Sequence, residues 1–152
     1  MFGEYMKKLL FVFCCIFILT GCGRKRLLYC DASAELEDYS IDLSYQIEHD
    51  GKYVSRILST EKVFSEDEYL LMSFQDMINE DQDIYKGLKH YKHSTNISDG
   101  VLTSIVDINY KKINTTKMIN LDSNNENLIK NGKVSIDDIK LYYEDLGTTC
   151  YE

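Results

Sequence analysis

With 152 residues, 25 acidic against 17 basic side chains and a formal charge of −8, the chain has room for one folded domain and not for two comfortable ones. The acidic balance excludes the basic footprint that nucleic acid requires, so no nucleic-acid partner is expected. It suits instead a domain that faces an anionic cell envelope without adhering to it.

The chain opens with an export address. Lys7 and Lys8 lead into an apolar run from Leu9 to Leu19, which ends at Leu19-Thr20-Gly21-Cys22. A charged stretch followed by a short apolar one is the pattern of a secretory signal. Eleven helical residues span roughly 16 Å, about half the hydrocarbon core, so this run is too short to remain as a membrane span. Leu-Thr-Gly-Cys reads as a bacterial lipobox: small residues let the processing enzymes approach, and the cysteine thiol takes the diacylglycerol. Residues 1–21 are therefore expected to be a lipoprotein signal peptide, with Cys22 the lipidated, acylated (palmitate-type) N-terminus. Met6-Lys7-Lys8 is a more usual opening for such a signal than Met1-Phe2-Gly3-Glu4-Tyr5, which makes Met6 an alternative start. The predicted location is the cell membrane, on its extracytoplasmic face.

Residues 22–29 are expected to be the lipidated cysteine and a tether, and residues 30–152 a single extracytoplasmic domain. Seven residues, Gly23 to Tyr29, reach at most ~25 Å. Arg24, Lys25 and Arg26 lie where each can gain on the order of 1 kcal/mol from anionic headgroups, or serve as a solvated basic spacer. Cys14 and Cys15 leave with the signal and Cys22 is consumed by lipid, so Cys30 and Cys150 remain at the two ends of the domain. In a compartment that permits disulfides, a Cys30–Cys150 bridge is expected, closing a loop of about 120 residues worth roughly 4–5 kcal/mol. Domain termini often lie close together, which favours the bridge over two free thiols.

Tyr39 to Glu48 alternates apolar and polar residues without a miss, the pattern of a strand buried on one face. Asp50-Gly51 then predicts a two-residue hairpin turn, with a return strand from Lys52 to Lys62 that faces Ile47 with Val54 and Leu43 with Leu58. In that register Arg56 falls opposite Tyr45. A helix is expected from Ser65, with Ser65 as its cap, Phe64 and Tyr69 as a staple, and Leu70, Leu71, Phe74, Met77 and Ile78 facing inward. It stops before Gly87. A second hairpin is predicted from Lys89 to Tyr110, turning at Ser98-Asp99-Gly100. Asn114 to Leu121 reads as a short helix or turn, and Asp122 to Gly132 as a polar loop. A last helix follows a Ser135 cap, presents Ile139, Tyr142, Tyr143 and Leu146 inward, and ends at Gly147. The predicted class is α+β: an antiparallel sheet from two β-hairpins covered by two helices, in an order compatible with a hairpin–helix duplication.

Chemistry is harder to find. His90 and His93, placed on a strand, fall on opposite faces and lack further donors for zinc. Asn127 to Asp138 mimics a calcium loop, but Ile129 occupies its third position and Asp138 its twelfth, so a turn before a capped helix explains it better. No serine sits in a G-x-S-x-G elbow, His49 lies beside a turn, and acidic pairs such as Asp137/Asp138 fall in first helical turns. The sequons at Asn96 and Asn114 carry no weight in a bacterial lipoprotein. The twelve tyrosines can line a ligand groove, or serve as core and rim of a sheet. No catalytic residue, metal site or cofactor is expected beyond the diacylglycerol on Cys22.

The lipobox, the alternating strand at Ser40–Glu48 and the segment Thr103-Ser-Ile-Val-Asp-Ile-Asn-Tyr-Lys-Lys-Ile113 together resemble the YehR-like lipoproteins. That family shares a lipobox, an early hairpin, a late I-D-Y-x-K-[VI]-[DN] segment and a C-terminal helix ending in glycine; here Asn109 stands where it often has Asp. The cysteine pair is not a general feature of the family. The resemblance implies a small envelope lipoprotein of unknown biochemical role and carries over no catalytic residue. The function expected is thus a non-enzymatic, lipid-anchored domain that binds an envelope partner or small ligand near the membrane. The competing reading is an envelope hydrolase or metal-dependent enzyme whose residues are scattered in sequence.

Overall fold

Period-two alternation along the chain builds most of the structure, a computed structural model that describes residues 25–152. The expected signal peptide and Cys22 lie outside the described residues. Strands β1 (Arg26–Glu35), β2 (Ser40–His49) and β3 (Val54–Phe64) form an antiparallel meander. Helix α1 (Glu68–Asp83) crosses to the hairpin of β4 (Tyr91–Ser98) and β5 (Val101–Ile108), which joins the meander along β3. Helix α2 (Thr115–Leu121) and a 3-10 turn (Ser123–Asn127) lead to a minimal hairpin, β6 (Ile129–Lys130) and β7 (Lys133–Val134). Helix α3 (Ile136–Asp145) and β8 (Thr149–Tyr151) close the chain. The main sheet has six antiparallel strands in the order β4-β5-β3-β2-β1-β8.

One face of the sheet is covered and the other is open. Leu28, Cys30, Tyr45, Ile47, Ile57, Val63 and Leu102 are buried and share the helix side. Their alternates, among them Asp42, Ser44, Lys62 and Lys92, are exposed on the far side. Two apolar clusters form: α3, α2 and Tyr85 pack over Tyr45, Ile47 and Ile57, while Leu71, Phe74 and Ile78 of α1 pack over Val63 and Leu102. Burying each such aliphatic side chain contributes about 1.5–3 kcal/mol. The α+β class, an antiparallel sheet covered by helices, is the one the chain forms.

Several details depart from the sequence reading. The tether is shorter than expected, because β1 begins at Arg26 and pairs with β2 along its whole length. Asp50 does not make a two-residue turn; its Oδ1 accepts from the amides of Lys52 (2.9 Å) and Tyr53 (2.8 Å), which lengthens the loop. With a bulge at Glu48/His49, the register slips, so that Ile47 meets Ile57 and Arg56 meets Glu48 rather than Tyr45. The cap of α1 is Asp67, whose Oδ1 accepts from the Tyr69 and Leu70 amides, while the Ser65 hydroxyl donates to the Asp38 carbonyl and accepts from the Asp67 amide just before the helix. Met77, Tyr142 and Leu146 are exposed, not inward; the buried stripe of α3 is Ile136, Ile139 and Tyr143. The hairpin at Asp99-Gly100 is as expected, both residues having positive φ (52° and 75°), the conformation of a type I′ turn. Both predicted hairpins share the sheet, with β1 and β8 lying outside any hairpin–helix repeat.

Candidate functional site: a tyrosine-lined cleft

Cys30 and Cys150 are direct partners in the β1–β8 ladder and are disulfide-bonded, with Cα atoms 4.0 Å apart and 120 residues between them. That separation is below the 4.4–6.8 Å usual for bridges, since the two residues face each other across adjacent strands. The bridge ties the strand after α3 to β1, and so holds α3 against the sheet. What α3 brings there is aromatic.

Tyr45 of β2, Tyr85, Tyr91 of β4, Tyr110, and Tyr142 and Tyr143 of α3 surround a cleft of about 280 Å³ between the helical layer and the sheet. Its floor includes Ile57, Ser59 and Glu61 of β3. Tyr45 and Tyr143 stack at 4.2 Å between ring centroids, Tyr85 and Tyr91 stack at 4.6 Å, and Tyr142 meets Tyr143 edge-on at 5.4 Å. Offset stacks and edge-to-face pairs are the favoured geometries for such rings.

The hydroxyls are tied down. Tyr45 donates to Glu61 Oε1 at 3.2 Å, and Tyr91 donates to Gln82 Oε1. Tyr85 donates to Asp122 Oδ2 at 2.9 Å and accepts from Asn125 Nδ2 at 2.8 Å. Burial raises the pKa values of Tyr45, Tyr91, Tyr110 and Tyr143 well above the ordinary phenol value, and pushes that of Tyr85 up to about 12. For Tyr45 the nearby Glu61 carboxylate adds to the effect of burial. The cleft walls are thus neutral phenols at any physiological pH. Among the described residues, no Lys, Arg or His nitrogen lies within 4.0 Å of Glu61.

The far side of the sheet carries a different feature. A groove of about 340 Å³ is lined by Lys25, Arg56, Lys92, Lys111, Lys112 and His90, together with Glu48 and Asp107. Arg56 donates to both oxygens of Asp107 at 2.8 Å and lies 3.7 Å from Glu48, to which Lys25 also donates at 3.1 Å. The Arg56 guanidinium holds the Asp107 carboxyl below the usual carboxylate range.

The remaining sequence candidates disperse. His90 precedes β4 and lines the basic groove, while His93 faces the helices 3.4 Å from the Ser104 hydroxyl, where burial lowers its proton affinity. His49 is buried, its Nδ1 accepting from the Gly51 amide and its Nε2 lying 3.9 Å from Glu152. In the calcium-like segment Ile129 is buried in the core, and Asn131 and Gly132, both at positive φ, form the turn between β6 and β7. Among the described residues no three His, Cys, Asp or Glu side chains group to hold a metal ion. Sequence reasoning missed Glu61. Its signal is a carboxylate in phase with Ile57 and Val63 on an inward face.

A family model for a domain of unknown function, DUF8824, matches residues 73–152. Among solved structures, the chain is similar to the Escherichia coli YehR protein, with a TM-score of 0.53 and 14% identity over 83% of this chain and 91% of that one. It is similar also to a protein from Streptococcus pneumoniae TIGR4, with a TM-score of 0.55 and 14% identity over 86% of this chain and 87% of that one. At this identity the likeness is one of fold, a YehR-like fold. No curated protein matches the chain.

Proposed function

The chain belongs to the DUF8824 family, a domain of unknown function, and on that premise we propose a lipid-anchored, extracytoplasmic binding domain whose tyrosine-lined cleft takes a small ligand. The cleft carries this reading: a concave space walled by aromatic and aliphatic side chains, with a few directed polar groups, is a usual form of a small-ligand site. The Leu19-Thr20-Gly21-Cys22 motif supports the anchor. The Cys30–Cys150 disulfide supports export, because such bonds persist in oxidising compartments. With β1 starting at Arg26, three residues separate Cys22 from the sheet, a reach of at most about 11 Å. The cleft would then work within a domain's width of the bilayer.

Two acyl chains hold a protein on a membrane essentially permanently, and one does so marginally. Metabolic labelling with an alkyne fatty acid should therefore tag the wild-type protein, and Cys22→Ala should abolish the label and accumulate uncleaved precursor. Normal processing and equal membrane retention of the variant would overturn the anchor. For the cleft, a small-fragment screen followed by tyrosine ring NMR should find ligands that shift Tyr45, Tyr91 and Tyr143 together. Hits confined to the basic groove would overturn the cleft as the site.

A further inference from the structure

Glu61 is the least explained charge in the molecule. It lies in β3 directly between Leu43 of β2 and Ser104 of β5, on the face the helices cover. Its neighbours in phase along β3 are Ser59 and Val63, and both are buried. Glu61 itself is half-buried, so its carboxylate gives up part of its hydration, and a partner offsets that cost. Its partner is one neutral phenol, the Tyr45 hydroxyl at 3.2 Å. Among the described residues no cation approaches within 4.0 Å, although the chain places five cations around the groove on the other face. An aliphatic residue would serve the core better, as Ile57 and Val63 do on either side.

The surroundings complete what Glu61 lacks. The negative face of a phenol ring attracts a cation, and more strongly as water is excluded. Tyr45, Tyr91, Tyr110 and Tyr143 bound the same cleft as Glu61, and Tyr142 stands 43% exposed at its mouth. The formal charge of −8 favours the approach of cations generally.

Resting on the ligand-cleft reading, we infer that the cleft binds a small organic cation bearing an ammonium group, with Glu61 as counter-ion and the tyrosine rings as walls. Volume limits the guest: about 280 Å³ admits an amine or quaternary ammonium of a few carbons and no large ligand. The ammonium head would sit against Glu61, and the exposed Tyr142 ring would close behind it.

The test uses the full chain in micelles of a neutral detergent. Choline and tetramethylammonium are the cationic probes, and 3,3-dimethyl-1-butanol is the neutral isostere of choline. The chain has no tryptophan, so its emission comes from tyrosine, and six of the twelve tyrosines line the cleft. Choline should change that fluorescence saturably, and the neutral isostere should bind about tenfold more weakly or worse. Glu61→Gln keeps an acceptor for Tyr45, so it should leave the melting temperature nearly unchanged while weakening choline at least about tenfold. Tyr142→Ala, at the exposed rim, should weaken choline with no loss of folding. Equal binding of the isostere, insensitive to Glu61→Gln, would overturn the cation inference and leave the ligand cleft standing. No saturable response to any probe would overturn the cation inference, and if the fragment screen also leaves the cleft tyrosines unmoved, the cleft reading falls with it.

Discussion

The two faces of strand β3 treat charge in opposite ways. Arg56, on the open face, meets Asp107 in a two-pronged pair and Glu48 beyond it, and Lys25 meets Glu48 in turn. Five residues further along, on the covered face, Glu61 meets one phenol. Charges on the open face neutralise one another within the chain, and water screens what remains, so those pairs add little stability. Among the described residues the charge on the covered face has a phenol and no cation for a partner, and the aromatic cleft beside it has room for one from outside. The open groove is richer in charge, yet water screens it, and the covered cleft is the better candidate for specific binding because aromatic walls surround a single carboxylate there.

Alkaline titration should break the covered side first. Tyr45, Tyr85, Tyr91, Tyr110 and Tyr143 all have raised pKa values, so the folded state binds their protons more tightly than the unfolded chain does. Their stabilisation is whole below the free phenol value of 10.0 and disappears as pH rises toward the folded values. Stability measured by denaturant should be flat up to about pH 9–10 and then collapse, with absorbance at the phenolate band rising in step with unfolding. Ionisation of all the tyrosines, the buried ones included, near pH 10 with the fold intact would contradict the burial of these rings.

Tyr143→Ala removes the ring that stacks on Tyr45 and should cost about 3–5 kcal/mol, read as a lowered midpoint in urea. Cys150→Ser, or reduction, should cost about 2–5 kcal/mol and loosen α3 from the sheet, visible as faster amide exchange at β8 and the end of α3. Both changes should weaken ligand binding in the cleft and leave the Arg56–Asp107 pair untouched.

On the open face, Arg56→Ala should cost about 1 kcal/mol or less, since the guanidinium is partly exposed. The sign of its pH dependence follows from Asp107, whose folded proton affinity is lowered first by the Arg56 hydrogen bond. That stabilisation is present above the ordinary carboxylate value near 3.8 and is lost as pH falls through the lower folded value. Wild-type and Arg56→Ala proteins should therefore converge in stability in strong acid and separate at neutral pH. A large effect of this substitution on ligand binding in the cleft would erase the contrast between the two faces.

Alternation at Tyr39–Glu48, the Asp99-Gly100 turn and the glycine after α3 made two hairpins, two helices and the α+β class readable from sequence, because each is a local preference of a few residues. The disulfide was readable too, from the elimination of the other cysteines and the tendency of domain ends to meet. β1 and β8 were not. Both owe their strand conformation to pairing partners, β1 to β2 over ten residues and β8 to β1 over three. The register of β2 and β3 likewise turned on where the Asp50 side chain found its amides.

The address proposed for the protein rests on one contiguous stretch, Lys7 to Cys22, since export and lipid-attachment patterns are read as linear sequence. The site was not, because Tyr45, Glu61, Tyr91, Tyr110 and Tyr143 come from separate elements and are neighbours only once the sheet is registered and α3 is laid across it. A linear pattern can say that Glu61 is inward, through its phase with Ile57 and Val63. That it shares one cleft with six tyrosines, with no cation within 4.0 Å among the described residues, is a property of three-dimensional packing, in which residues distant along the chain share one cavity.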